Sequence, residues 1–77
     1  MTKEESEVKV NENSYLKGSY FIQTRSHRKF KLLEINMQPK GEDWEIICVL
    51  KNDEPPVYAK IAEPLKIILE EHFYKKA

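Results

Sequence analysis

The sequence predicts a small α+β domain: an antiparallel β-sheet of three to four strands, connected as a meander, with one C-terminal helix packed on one face (ββββα). Two observations predict this class. Between residues 18 and 51 apolar side chains recur with a period of two, and many are β-branched or aromatic, as is typical of strands. After Pro64 the apolar spacing becomes that of a helix. With 77 residues, the chain is long enough for one domain only.

The first residues are polar and charged, with Val8 and Val10 as the apolar exceptions after Met1. Such a composition cannot bury enough apolar surface to offset the entropy of ordering the chain. Residues 1–13 are therefore predicted to be a flexible N-terminal tail, and residues 14–77 the single domain. A short edge strand through the two valines is the alternative.

Three strands are predicted from the alternation, namely "SYFIQTR", "KFKLLEINM" and "DWEIICVLK". A loop of three or five residues centred on His27 joins the first two and pairs Ile22 with Leu32. A two-residue loop at Ser26 and His27 would instead place Ile22 opposite Lys31 and mix polar with apolar residues on both faces. The longer loop is therefore expected.

The segment "QPKGE" joins the second and third strands. Its proline and glycine suit a three-residue bulged loop that pairs Gln38 with Glu42 and places Leu32 opposite Cys48. Both hairpins then agree on one parity, so each strand keeps its even-numbered residues on one face. The even face carries Tyr20, Ile22, Phe30, Leu32, Trp44, Ile46, Cys48 and Leu50, and the odd face carries Phe21, Leu33, Ile35, Ile47 and Val49.

After the turn-like "NDEPP", residues 57–61 alternate weakly and form either a fourth, edge strand or a first helical turn. From Pro64 the chain is predicted to be helical, with one apolar stripe of Leu65, Ile68, Leu69, His72 and Phe73. A helix of about 13 residues is roughly 20 Å long and covers one face of a four-stranded sheet. One face with large apolar side chains is left over.

The apolar sheet face that the helix does not cover predicts a non-enzymatic interaction or regulatory module. Through this face the protein would form a homodimer or other homo-oligomer, or bind another protein. Which face the helix covers stays open at this point. The candidate interface residues are Phe21, Leu33, Ile35, Ile47 and Val49.

The alternative function is binding of single-stranded DNA or RNA by the first hairpin. The net charge is zero, but residues 17–40 hold six Lys or Arg against one Glu. The strand order resembles that of single-strand-binding transcription cofactors and of chromo-like modules, an architectural likeness that transfers no residue. The candidate residues, basic groups for phosphates and an aromatic ring for stacking, are Tyr20, Arg25, His27, Arg28, Lys29 and Lys31.

No motif indicates an enzyme, a metal, a cofactor or a small-molecule substrate. Cys48 lies in an apolar run and is expected to be a small buried hydrophobe, so it is not expected to act as a nucleophile with His72 as its base. Its being the only cysteine excludes an intramolecular disulfide. No apolar run is long enough for a membrane span, and a cytoplasmic location is expected.

Overall fold

The computed structural model describes residues 1–52 and 59–77. Within them, five antiparallel strands form one sheet in the order β4-β3-β2-β1-β5, with a helix at the N-terminus and a short one before the last strand. The elements are α1 (Lys3–Asn13), a 3-10 turn (Ser14–Leu16), β1 (Tyr20–Gln23), β2 (Lys29–Lys40), β3 (Asp43–Asn52), β4 (Ala59–Pro64), α2 (Leu65–Ile68) and β5 (Tyr74–Lys76). The predicted α+β class is confirmed, but the strand count and the helix positions differ.

Helix α1 occupies the segment for which the sequence predicts a flexible tail. The Thr2 hydroxyl accepts a hydrogen bond from the Glu5 amide at 3.1 Å, and the Glu5 carboxylate accepts one from the Thr2 amide at 3.4 Å. This capping box satisfies two amides of the first turn. Ser6 is fully buried and Val10 packs against the core. The tail prediction is therefore wrong about the secondary structure of residues 1–13.

A β-bulge at Leu33 interrupts the pairing of β2 with β3. Leu32 lies opposite Leu50 and Ile35 lies opposite Cys48, so β2 advances three residues between these pairs while β3 advances only two. One extra residue in a strand reverses which residue numbers point to the core. The predicted pairing of Leu32 with Cys48, and the single parity along β2, are therefore wrong.

Both hairpins differ from the predicted register. In the first, Ile22 pairs with Lys29 rather than with Leu32, and His27 in the connecting loop has a φ of 60°. In the second, Lys40 pairs with Asp43, which leaves a two-residue loop. Gly41, its first residue, has a φ of 62°, the left-handed conformation that a type II′ turn requires at this position.

The C-terminal segment forms a strand where the sequence predicts the end of a helix. Helix α2 has four residues, and β5 then pairs with the edge of β1, placing Tyr74 opposite Gln23. Tyr74 is 3% exposed and meets the ring of Phe30 edge-on at 6.5 Å. The predicted helix of about 13 residues is therefore wrong: the unpaired backbone of β1 and a core site for Tyr74 outweigh local helix propensity.

Strand β4 is an edge strand, as expected for the segment after the prolines. Residues 57 and 58 of the predicted strand lie outside the described residues. Strand β4 pairs with β3, and Lys51 lies opposite Lys60.

The core lies between one face of the sheet and the two helices. It consists of Leu16, Phe21, Phe30, Leu32, Ile35, Ile46, Cys48, Leu50, Leu65, Ile68 and Tyr74. Both helices place their buried residues on this side, so no helix of the described residues covers the opposite face. We call that face the outer face. Alternation from the fully buried Leu32 places the bulge residue Leu33 there, and by register the face also carries Tyr20, Ile22, Lys29, Lys31, Glu34, Asn36, Gln38, Lys40, Asp43, Glu45, Ile47, Val49, Lys51, Lys60, Ala62, Pro64 and Lys75.

Candidate nucleic-acid interface

The strand register lines up three lysines across the outer face. Lys31 of β2 lies directly opposite Lys51 of β3, which lies directly opposite Lys60 of β4. Directly paired residues point to the same side of a sheet, and neighbouring strands are about 4.8 Å apart, so the row spans about 10 Å. Like charges in this arrangement repel each other and weaken strand pairing.

The next row adds two more lysines, and the aromatic ring of Tyr20 lies in the first row, opposite Lys31. Ile22 of β1 is flanked by Lys29 on one side and by Lys75 on the other. The Tyr20 ring is 44% exposed and has the Lys29 Nζ at 4.6 Å and the Lys31 Nζ at 6.0 Å from its centroid. Together, Tyr20, Lys29, Lys31, Lys51, Lys60 and Lys75 form the basic end of the outer face.

The acidic groups of the outer face lie at different distances from the basic end: Glu34, opposite Val49, is one row from Lys31 and Lys51, whereas Glu45 lies towards the other end. Among the described residues, ion pairs join the N-terminus to Asp43 and Lys40 to Glu45. Glu45 lies opposite Gln38, which donates to its carboxylate at 2.6 Å; this hydrogen bond is the main reason why the pKa of Glu45 is lowered. The positive charge of the basic end is therefore not neutralised by Glu45.

The first hairpin loop extends the basic end beyond the strands. Residues 24–27 are exposed and Arg28 is partly buried. Within the loop, the His27 amide donates to the Gln23 carbonyl at 2.8 Å, and the Ser26 hydroxyl donates to the Gln23 side-chain carbonyl. Of the residues predicted for nucleic-acid binding, Tyr20, Lys29 and Lys31 lie on the outer face and Arg25, His27 and Arg28 lie in this loop. Sequence pattern missed Lys51, Lys60 and Lys75, because their proximity depends on strand register.

The predicted protein interface is divided between the core and the outer face. Phe21 and Ile35 are each 3% exposed and belong to the core, so neither is available to a partner. Leu33, Ile47 and Val49 are partly buried and lie on the outer face. The division has two physical reasons. The bulge at Leu33 turns Ile35 towards the core, and the register of the first hairpin, which pairs Phe21 with the buried Phe30, places Phe21 there.

A cleft lies on the core side of the sheet, with a volume of about 540 Å³. Its walls come from the end of β1 and the adjoining loop (Gln23, Arg25), from β4 (Glu63) and from Phe73 and Tyr74. The Gln23 side-chain amide donates to the Tyr74 hydroxyl at 3.0 Å. The cleft is therefore lined by residues of both edge strands of the sheet, β4 and β5.

Cys48 has none of the features of a reactive thiol. It is fully buried, and burial raises the pKa of its thiol to about 11. His72 is exposed in the segment before β5. In residues 1–52 and 59–77, no group of His, Cys, Asp and Glu side chains could hold a metal ion.

None of the helices in the described part of the chain is long and apolar enough to cross a membrane. No protein-family model, no characterised protein and no solved structure matches the chain. The role of the basic end must therefore follow from its own geometry and charge.

Proposed function

We propose that the protein is a non-enzymatic binding module that holds single-stranded nucleic acid on the basic end of the outer face. The row of Lys31, Lys51 and Lys60 is the observation that carries the proposal. Lysines in register on adjacent strands concentrate positive charge on one face, and the phosphates of a nucleic-acid backbone can contact such a row. Lys29 and Lys75 add positive charge beside it.

The partly apolar character of the basic end favours a single strand over a duplex. Tyr20 is 44% exposed and Ile22 is 37% exposed, and both lie among the lysines. Unpaired bases can stack on such side chains, whereas a duplex presents mainly its phosphates. The predicted loop residues Arg25 and Arg28 extend the positive surface at the end of the hairpin, and His27 lies between them in the loop.

The same charges argue against two copies meeting through their basic ends, because each copy would bring its lysines against those of the other. Self-association stays a second candidate, favoured by Leu33, Ile47 and Val49, which form a partly buried apolar strip beside the basic end. Sedimentation of the protein and of a Val49→Lys variant tests it. A monomer at high micromolar concentration overturns it; a dimer that the substitution dissociates supports it.

The nucleic-acid proposal is tested by fluorescence anisotropy with a labelled single strand of about 12 nucleotides. Five lysines on five phosphates give a slope of log affinity against log salt of about −3.5, so affinity falls roughly 100-fold between about 50 and 200 mM salt. Replacing Lys31 and Lys60 together by Gln should reduce the slope by about 1.4.

The matched control replaces Lys9 and Lys66 by Gln, since both are exposed and lie on the helices rather than on the outer face. This pair changes the net charge by the same amount. If it lowers affinity and slope as much as the Lys31 and Lys60 pair does, the attraction is diffuse and the outer face is not the site. Absence of binding at about 50 mM salt would also overturn the proposal, because screening is weakest there.

A further inference from the structure

The cleft on the core side of the sheet contains a carboxylate and a guanidinium that do not pair with each other. Glu63 of β4 and Arg25 of the hairpin loop both line it, and the described residues include no ion pair of either side chain. Both nevertheless lie close enough to Tyr74 to shift the pKa of its hydroxyl, which burial raises most, Glu63 raises further and Arg25 lowers. A ligand that donates to the Glu63 carboxylate and accepts from the Arg25 guanidinium would match both charges.

Tyr74 supplies a third polar group at a defined position. Its ring is 3% exposed and its hydroxyl accepts a hydrogen bond from the Gln23 side-chain amide at 3.0 Å. Gln23 is itself held by the Ser26 hydroxyl, which donates to its carbonyl oxygen. Because the Tyr74 oxygen accepts from Gln23, its own O–H hydrogen can donate to a ligand.

The remaining walls are suited to a flat ring. Phe73 is 41% exposed although it is a large apolar side chain, and His72 meets it edge-on at 5.0 Å. Ile67 of α2 contributes an aliphatic surface to the same cleft. The volume of about 540 Å³ lies within the range of small-ligand sites, about 300 to 1,000 Å³.

We propose that this cleft binds one unpaired guanine of the nucleic acid held on the outer face, so the inference rests on the proposed function. Guanine presents two adjacent donors, N1–H and the exocyclic amino group, beside the acceptor O6. The donors bind Glu63, O6 accepts from the Tyr74 hydroxyl, the ring lies against Phe73, and Arg25 contacts the phosphate. Adenine and cytosine present one donor beside an acceptor, and uracil presents one donor between two acceptors, so none of them matches two donors to a carboxylate.

The test begins with free nucleotides, so that it is independent of the outer face. Guanosine, adenosine, cytidine and uridine monophosphates are titrated into the isotope-labelled protein and followed by backbone amide NMR. We expect guanosine monophosphate to shift the amides of Thr24, Phe73 and Tyr74 and to bind at least about tenfold more tightly than the other three. Inosine monophosphate, which lacks the exocyclic amino group, should bind about tenfold more weakly than guanosine monophosphate.

Glu63→Gln should abolish the preference for guanine, and Glu70→Gln, an exposed residue outside the cleft, should retain it. The amide spectrum of each variant shows whether it is folded. Equal binding of all four nucleotides, or shifts confined to residues outside the cleft, overturns the inference.

Two oligonucleotides of equal length, one with a single guanine among uridines and one of uridines alone, distinguish a base in a strand from a free nucleotide. Tighter binding of the guanine strand, lost in Glu63→Gln, supports the inference. Equal binding of both strands overturns it and leaves the outer-face proposal intact. Binding of guanosine monophosphate in the cleft with no binding of either strand supports the guanine site and overturns the strand-binding function.

Discussion

Because of the bulge in β2, we expect truncation of Ile35 and of Leu33, two residues apart, to lower the free energy of unfolding by very different amounts. Ile35 is 3% exposed and lies opposite the fully buried Cys48, whereas Leu33 is partly buried on the outer face. Each change to Ala removes three carbon groups. At about 0.8 kcal/mol per buried group, Ile35→Ala loses about 2.4 kcal/mol, and the cavity left behind raises the cost to about 3 kcal/mol. Leu33→Ala should cost about 1 kcal/mol, because water can fill the space on an open face.

The measurement is urea unfolding of both variants followed by the fluorescence of Trp44, the only tryptophan. If Ile35→Ala does not fold, Ile35→Val removes one carbon group and should cost about 1 kcal/mol. Without the bulge, residues 33 and 35 would share one face and similar burial. Equal losses of unfolding free energy at the two positions, or a larger loss at Leu33, would therefore show that the strand does not switch parity there.

Three other outcomes are expected. Because burial raises the pKa of the Cys48 thiol to about 11, the cysteine should stay unlabelled by a thiol reagent at pH 7 until urea unfolds the protein; rapid labelling of the folded state would contradict this. Gly41→Ala should cost about 1 kcal/mol, since its φ of 62° strains any other L residue, while Glu42→Ala in the same turn should change stability by less than about 0.5 kcal/mol. NMR titration should place the pKa of Glu45 below its ordinary 4.5, and Gln38→Ala should raise that pKa. Because the pKa is lower in the folded protein, the ionised Glu45 stabilises the fold at neutral pH, and this contribution is lost as pH falls through the folded pKa.

Part of the candidate site is local in sequence and part of it is not. Tyr20, Lys29 and Lys31 belong to one hairpin, so charge and alternation were enough to single them out. Lys51 and Lys60 join them only because the register of β2, β3 and β4 places them side by side. Neither Lys51 nor Lys60 belongs to a sequence motif, and a shift of one residue in strand register would move either lysine to the opposite face.

The sequence by itself determined that residues 20–52 form three antiparallel strands with turns near His27 and Gly41, because a period of two and turn-forming residues act over short distances. Tertiary structure alone decided where the bulge falls, and with it the face that Ile35 occupies, since either parity of β2 offers apolar residues to a core. Tertiary structure also decided the secondary structure of both termini. Local propensity differs by less than about 1 kcal/mol per residue, so the burial of Ser6 and Tyr74 against the sheet makes one terminus a helix and the other a strand.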